Sequence, residues 1–264
     1  MKKQHTRILS VVLVTLMTVG CGSAGGGGGF NLISIEEEWQ LGQQLSQEIA
    51  RQVRINNDPA VNSYIRNMGQ RIVAQTNMAN LPWNFYVVDD PSINAFAVPG
   101  GHVYVHTGLI ANSDNASELA GVMAHEISHV LARHSTEQIS RQYGLQMLAS
   151  VVLGQNPGQL AQIAASIVGT GAMARFSREA EREADELGIQ AMHRAGYNPQ
   201  GMASMFEELL EHRQSSPGRI EQFFSTHPVT EERIRDSRNR AQRLGTSGTV
   251  TDEPAFQDIK RRVS

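Results

Sequence analysis

The chain has a single cysteine, Cys21, so no disulfide can form within it. Its formal net charge is only −3, and no basic run interleaved with aromatics occurs, which argues against a nucleic-acid partner. The apolar run at the start, Ile8 to Val19, falls short of the roughly 20 residues that a spanning helix needs. No internal repeat and no βαβ alternation is present, which excludes solenoids and doubly wound sheets. What remains is 264 residues, 40 % hydrophobic and 19 % charged, a composition that suits a folded protein of one or two domains.

The opening residues differ in kind from the rest. Lys2, Lys3 and Arg7 precede the apolar run and Gly20 precedes Cys21, which is the pattern of a secretory signal over residues 1–20. The placement of Cys21 resembles the lipobox of bacterial lipoproteins, whose cysteine is acylated and becomes the new N-terminus, although Thr18 stands where leucine is usual. Ordinary signal cleavage leaving a free cysteine is the alternative. Gly22, rather than aspartate, after the cysteine favours the outer membrane over the inner. Gly25 to Gly29 is an unbroken glycine run, and residues 21–33 read as a flexible tether between anchor and globule.

From residue 34 the chain punctuates clearly. Ser34-x-x-Glu37 is a capping box opening a helix to about Asn56, and Asp58-Pro59 opens a second. Trp83 to Val88, Ala95 to Val98 and His102 to His106 have strand character, the last two joined by Pro99-Gly100-Gly101. From Ser117 onward the pattern is almost wholly helical. The fold class is α+β, mainly helical, with a small sheet. Residues 144–174 hold two apolar stretches split by Gln155-Asn156-Pro157-Gly158. Each is too short to cross a bilayer, so a buried or lid helix pair is the default, with a membrane-touching or partner-binding surface as the sharper reading. The polar stretch 246–264 is a candidate for partial disorder.

The chemistry concentrates at His125-Glu126-x-x-His129. Apolar residues at helical spacing surround it, so the stretch is a helix, and residues four apart share a face. Two imidazoles can then hold one ion while Glu126, about 100° round the axis, reaches a water instead of the metal. A catalytic zinc needs a third protein ligand. His134 is nearest, but it lies five residues past His129, and the metzincin pattern would need glycine and histidine where Ala132 and Ser135 stand. The stretch Ser177 to Gly188 alone reads as a solvated charged face. Its Glu181 and Asp185, however, stand four apart, as the histidines do. One could bind zinc while the other accepts the spare N–H of a ligand histidine.

Together with Ser177-Arg178-x-x-Glu181-x-x-Ala184-Asp185-x-x-Gly188, the motif resembles the gluzincin metallopeptidases of the HtpX and CAAX prenyl protease type, in their soluble periplasmic lipoprotein branch. Asn94 to Gly101 and Ser225-Thr226-His227-Pro228 match as well, and the resemblance spans roughly residues 35–245. It implies a zincin-like metallopeptidase domain over 34–245 with one Zn²⁺. The ligands would be His125, His129 and Glu181, with Glu126 as base and Asp185 in support. His227 could cap the helix that follows it, close the zinc as a latch, or donate to an oxyanion. Asn94, Ala95, Phe96 and Ala97 would form an edge strand that takes up extended substrate, or a plain core strand.

The implied activity is endopeptidase cleavage of unfolded or misfolded envelope proteins in the periplasm, from an outer-membrane anchor. The outer-membrane β-barrel assembly machinery is an implied partner. An assembly factor or chaperone with a latched site is the alternative. The chain departs from some relatives in lacking transmembrane helices and a C-terminal helical repeat domain, so their membrane substrates and docking are not carried over.

Overall fold

The computed structural model describes residues 33–170, 175–215 and 217–264; the leader, Cys21 and the glycine run lie outside the described residues. Ser34 opens α1 (Ile35–Ile49) with the expected reciprocal cap. Its hydroxyl accepts from the Glu37 amide at 3.1 Å, and the Glu37 carboxylate accepts from the Ser34 amide at 2.7 Å. The helix stops at Ile49 rather than near Asn56. There the chain turns extended, Ile55 bridges Val88 and the Asn56 amide donates to the Val87 carbonyl. Asp58 then caps α2 (Pro59–Val73), accepting from the Ala60 and Val61 amides.

Strands β1 (Asn84–Val88), β2 (Ala95–Val98) and β3 (His102–His106) form a sheet in the order β1-β3-β2. β3 is parallel to β1 and antiparallel to β2, so Tyr104 pairs with Tyr86 on one side and Phe96 on the other. The tight turn between β2 and β3 depends on Gly100 and Gly101, whose φ values of 78° and 72° favour glycine. The sheet has a core on each face. Val87, Ala95, Ala97, Val103 and Val105 point into one, and Val88, Phe96, Val98 and Tyr104 into the other, as the two-residue period requires.

The chain then runs through α3 (Thr107–Asn112), α4 (Ala116–Leu131), α5 (His134–Tyr143), α6 (Leu145–Val152), α7 (Pro157–Thr170), α8 (Arg178–Arg194), α9 (Gln200–Ser215), α10 (Pro217–Thr226), α11 (Glu231–Leu244) and α12 (Pro254–Val263). This is the expected α+β class, dominated by helix. α4 is the central element: Asn115 caps it, and every residue from Ala116 to Val130 is buried. Glycines let its neighbours close in. A Cβ on Gly121 would lie 2.8 Å from the Met202 Cα on α9, and one on Gly188 of α8 would lie 3.1 Å from the Ala124 backbone. The second approach brings the carboxylates of α8 within reach of α4.

The apolar stretch 144–174 is described as far as Thr170. Leu148, Val151, Ile163, Ala164 and Ile167 of α6 and α7 turn into the second core with Leu41 and Leu45 of α1. The described part of the stretch is a buried helix pair, and Ile35, Leu153 and Leu244 are the exposed large apolar side chains among the described residues. Among those residues, no helix is long and apolar enough to cross a bilayer. The tail 246–264, a candidate for disorder on its polar composition, is instead folded. Val250 bridges Tyr197, and α12 buries Phe256 and Ile259 against the first core. Few apolar residues suffice because each is fully docked.

Candidate metal centre

Helix α4 presents His125 and His129 on one face with their Nε2 atoms 3.1 Å apart. α8 crosses them and delivers Glu181, whose Oε1 lies 3.3 Å from His129 Nε2 and whose Oε2 lies 3.6 Å from His125 Nε2. His227, at the end of α10, enters from a third direction, with Nδ1 3.0 Å from Glu181 Oε1 and 3.3 Å from His125 Nε2. One donor atom from each of these four residues lies within 4.8 Å of the others, and all four side chains are buried. Imidazole nitrogens with a carboxylate oxygen and no sulfur form a set that suits Zn²⁺. Glu126 stands beside them, 1 % exposed, with Oε1 3.4 Å from His227 Nε2 and no well-formed hydrogen bond at that oxygen.

The structure thus brings His125, Glu126, His129, Glu181 and His227 to one point. Asp185, one turn after Glu181, places Oδ1 2.9 Å from His125 Nδ1, close enough to orient the ring although the pair forms no well-aligned hydrogen bond. β2 is a sheet edge and packs beside α4. Asn94 is fully buried with neither side-chain polar atom partnered, and Ala95 and Phe96 pack into opposite cores. Cys21 lies outside the described residues. His102 and His106, which have no metal spacing, are buried in the sheet.

Two side chains of this centre escaped the sequence reading. Arg233 of α11 grips Asp185 with two hydrogen bonds of 2.7 Å and sets Nη1 2.5 Å from Glu181 Oε2. A signal existed: Ile234, Ser237 and Ala241 mark the inward face of α11, and Arg233 shares it. Among the five arginines of that helix nothing else singles it out. Phe176 is the other. Its ring stacks on His129 at 4.0 Å between centroids, and it lines both a cleft of about 730 Å³ beside His134 and one of about 280 Å³ beside Glu181.

The charges follow from burial and neighbours. Burial, against a partial pull from Glu181, holds His129 well below the usual histidine range, so its ring is neutral and its lone pair free to bind a cation. Burial also pushes the Glu126 carboxyl up, against the pull of His227 and His125. Glu181 goes the other way. Burial would raise it, but His227, Arg233 and the hydrogen bonds from His129 and His227 hold it well below the carboxylate range.

A purely structural zinc would leave Glu126, buried beside the donors, without a role, so the arrangement suits metal-assisted hydrolysis. The class that the site resembles is the gluzincin zinc site, in which two histidines of one helix meet a glutamate from another. Sequence comparison is more particular: the model of peptidase family M48 matches residues 59–241, and the chain belongs to this family. It is 36 % identical over 221 residues to the beta-barrel assembly-enhancing protease of Escherichia coli K12, an alignment covering 80 % of this chain and 45 % of that protein. It is 32 % identical over 212 residues to the mitochondrial metalloendopeptidase OMA1 of Schizosaccharomyces pombe, covering 78 % and 61 %. It is 31 % identical over 168 residues to the metalloprotease YcaL of Escherichia coli K12, covering 62 % and 64 %. The chain therefore spans about half the length of the first of these relatives.

Proposed function

We propose that the protein is a zinc-dependent endopeptidase of the bacterial envelope that cleaves misfolded or stalled envelope proteins. The observation that carries this reading is the convergence of His125, His129 and Glu181 on one point with Glu126 alongside. His125, His129 and Glu181 would hold the zinc, which would supply Lewis acidity towards a water and the scissile carbonyl. Glu126 takes a proton from the attacking water and passes it to the leaving amine. Asp185 fixes His125 in the tautomer whose Nε2 carries the lone pair, and Arg233 keeps Asp185 and Glu181 ionised. β2, as the sheet edge beside Glu126, would align an extended peptide by strand addition.

The leader pattern and Cys21 support periplasmic placement on an outer-membrane lipid anchor. The name of the 36 % identical relative, a beta-barrel assembly-enhancing protease, supports an association with outer-membrane β-barrel assembly. Glu126→Gln should keep fold and zinc and reduce casein cleavage by about 100-fold or more. Cleavage at the wild-type rate would reject the reading.

One observation favours a restrained enzyme, the form the assembly-factor alternative requires. His227 is fully buried between Glu126 and Glu181, where water and substrate must enter. We read it as a latch. His227→Ala should then raise basal caseinolysis; a fall would mark His227 as an oxyanion donor, and no change in activity or metal affinity would remove it from the site.

A further inference from the structure

Each ligand histidine on α4 needs a partner for the ring nitrogen that faces away from the metal. His125 has Asp185. His129 has something less direct. Its Nδ1 lies 3.0 Å from Nδ1 of His134, and Nε2 of His134 lies 3.4 Å from Glu183 Oε2. His134 itself is 7 % exposed. The proton positions follow from the ligation. If Nε2 of His129 holds the metal, its one proton is on Nδ1 and is donated. His134 Nδ1 must then accept, so the His134 proton is on Nε2 and points at the Glu183 carboxylate.

The backbone places His134 with unusual specificity. Arg133, directly before it, has φ 59°, and is the one non-glycine residue with positive φ among the described residues. That left-handed residue turns the chain sharply off α4 and folds His134 back against the helix it has just left. Its side chain is pinned in return: Nε donates to Glu38 at 2.6 Å and Nη2 to the Ile33 carbonyl at 2.7 Å. A residue held in a disfavoured conformation, by contacts with residues about 100 positions earlier in the chain, persists because its surroundings fix it there.

We infer that His134 is a positioning residue, relaying the Glu183 carboxylate to Nδ1 of His129 and thereby fixing the tautomer and ring orientation of that ligand. The inference rests on His125, His129 and Glu181 being the metal ligands. It assigns α8 a carboxylate for each histidine, Asp185 directly and Glu183 through His134. It also gives the turn at Arg133 a function that packing alone does not.

The test is zinc affinity by chelator competition on the full chain, with melting of the zinc-free protein as control. Glu181→Ala should lose stoichiometric zinc; if it binds like wild type, the ligand assignment falls and this inference falls with it. With that control in hand, His134→Phe, which keeps a ring beside Phe176 but no nitrogen, should weaken zinc by about 10- to 100-fold. His134→Gln offers a carbonyl to His129 and an amide N–H to Glu183, and should recover to within about threefold of wild type on the same scale of effects. Glu183→Ala, altering a half-exposed side chain, should lose zinc affinity with the zinc-free melting temperature unchanged. Zinc held within twofold of wild type by His134→Phe, equal losses in His134→Phe and His134→Gln, or wild-type affinity in Glu183→Ala would each overturn the relay.

Discussion

Two groups of buried histidines lie on this fold, and they are used in opposite ways. His102 and His106 end β3, stacked or edge-on to Tyr86 and Phe96, with hydroxyls of Tyr86 and Ser92 as partners at 3.0 and 2.7 Å. Burial pushes both down to about 4, with Asp90 opposing only slightly for His106, so they are neutral core residues. At the metal centre the outcome differs from ring to ring: burial still wins at His129, whereas at His227 the carboxylates win. Burial alone would lower His227 too, yet Glu126 and Glu181 together raise it. The lesson is that burial silences a histidine and the charges buried with it can restore its chemistry. A histidine's function is therefore read from its neighbours on other helices.

The comparison breaks most severely at Arg233. Its guanidinium is the cation that offsets two buried carboxylates, Asp185 and Glu181, and all three side chains are nearly sealed from water. Removing one partner of such a set leaves charge without compensation. Arg233→Ala should cost about 3–5 kcal/mol, read from urea unfolding of the zinc-free protein. Asp185 should simultaneously rise from its depressed range, since Arg233 is the chief cause holding it down against burial. A cost under about 1 kcal/mol would mean that the carboxylates re-pair or take up protons freely, and the metal centre would then resemble the sheet more than it differs from it.

How much of this was legible beforehand follows the range of each interaction. Signals within one turn read well: the Ser34–Glu37 cap, the Asp58 cap, the strand pair around Gly100-Gly101, and His125 with His129 on one face. The pairing of Glu181 with Asp185 was visible as a spacing, and a family resemblance chose between their roles. Arg233 was not legible, because its partners are 48 and 52 positions away and its own helix is rich in arginine. The helical pattern overruns the end of α1, because the competitor that ends it is a strand edge at Val88. The polar composition of the tail conceals that Phe256 and Ile259 each find a fully prepared site.

The smaller effect sharpens the sheet's side of the comparison. A histidine whose folded value is about 4 and whose unfolded value is 6.5 binds its proton more readily in the unfolded chain. Its contribution to stability is therefore complete above pH 6.5 and is lost as the pH falls from there towards 4. The groups around His102 are Tyr86, by hydrogen bond and stack, and the hydroxyls of Ser46 and Tyr104 beyond it, none of them charged at these values. His102→Phe keeps the stack on Tyr86 and cannot titrate. Between pH 6.5 and 5 the wild type should lose about 1.5 kcal/mol more than this variant, since a pH unit is worth about 1.4 kcal/mol between the two values and less close to 6.5, where the unfolded ring is only partly protonated. Taking the difference between the two proteins cancels the titrations of the metal centre, which both share. Parallel pH profiles would show that His102 accepts its proton in the folded state without penalty, and that the contrast between silenced and recharged histidines had been drawn at the wrong residue.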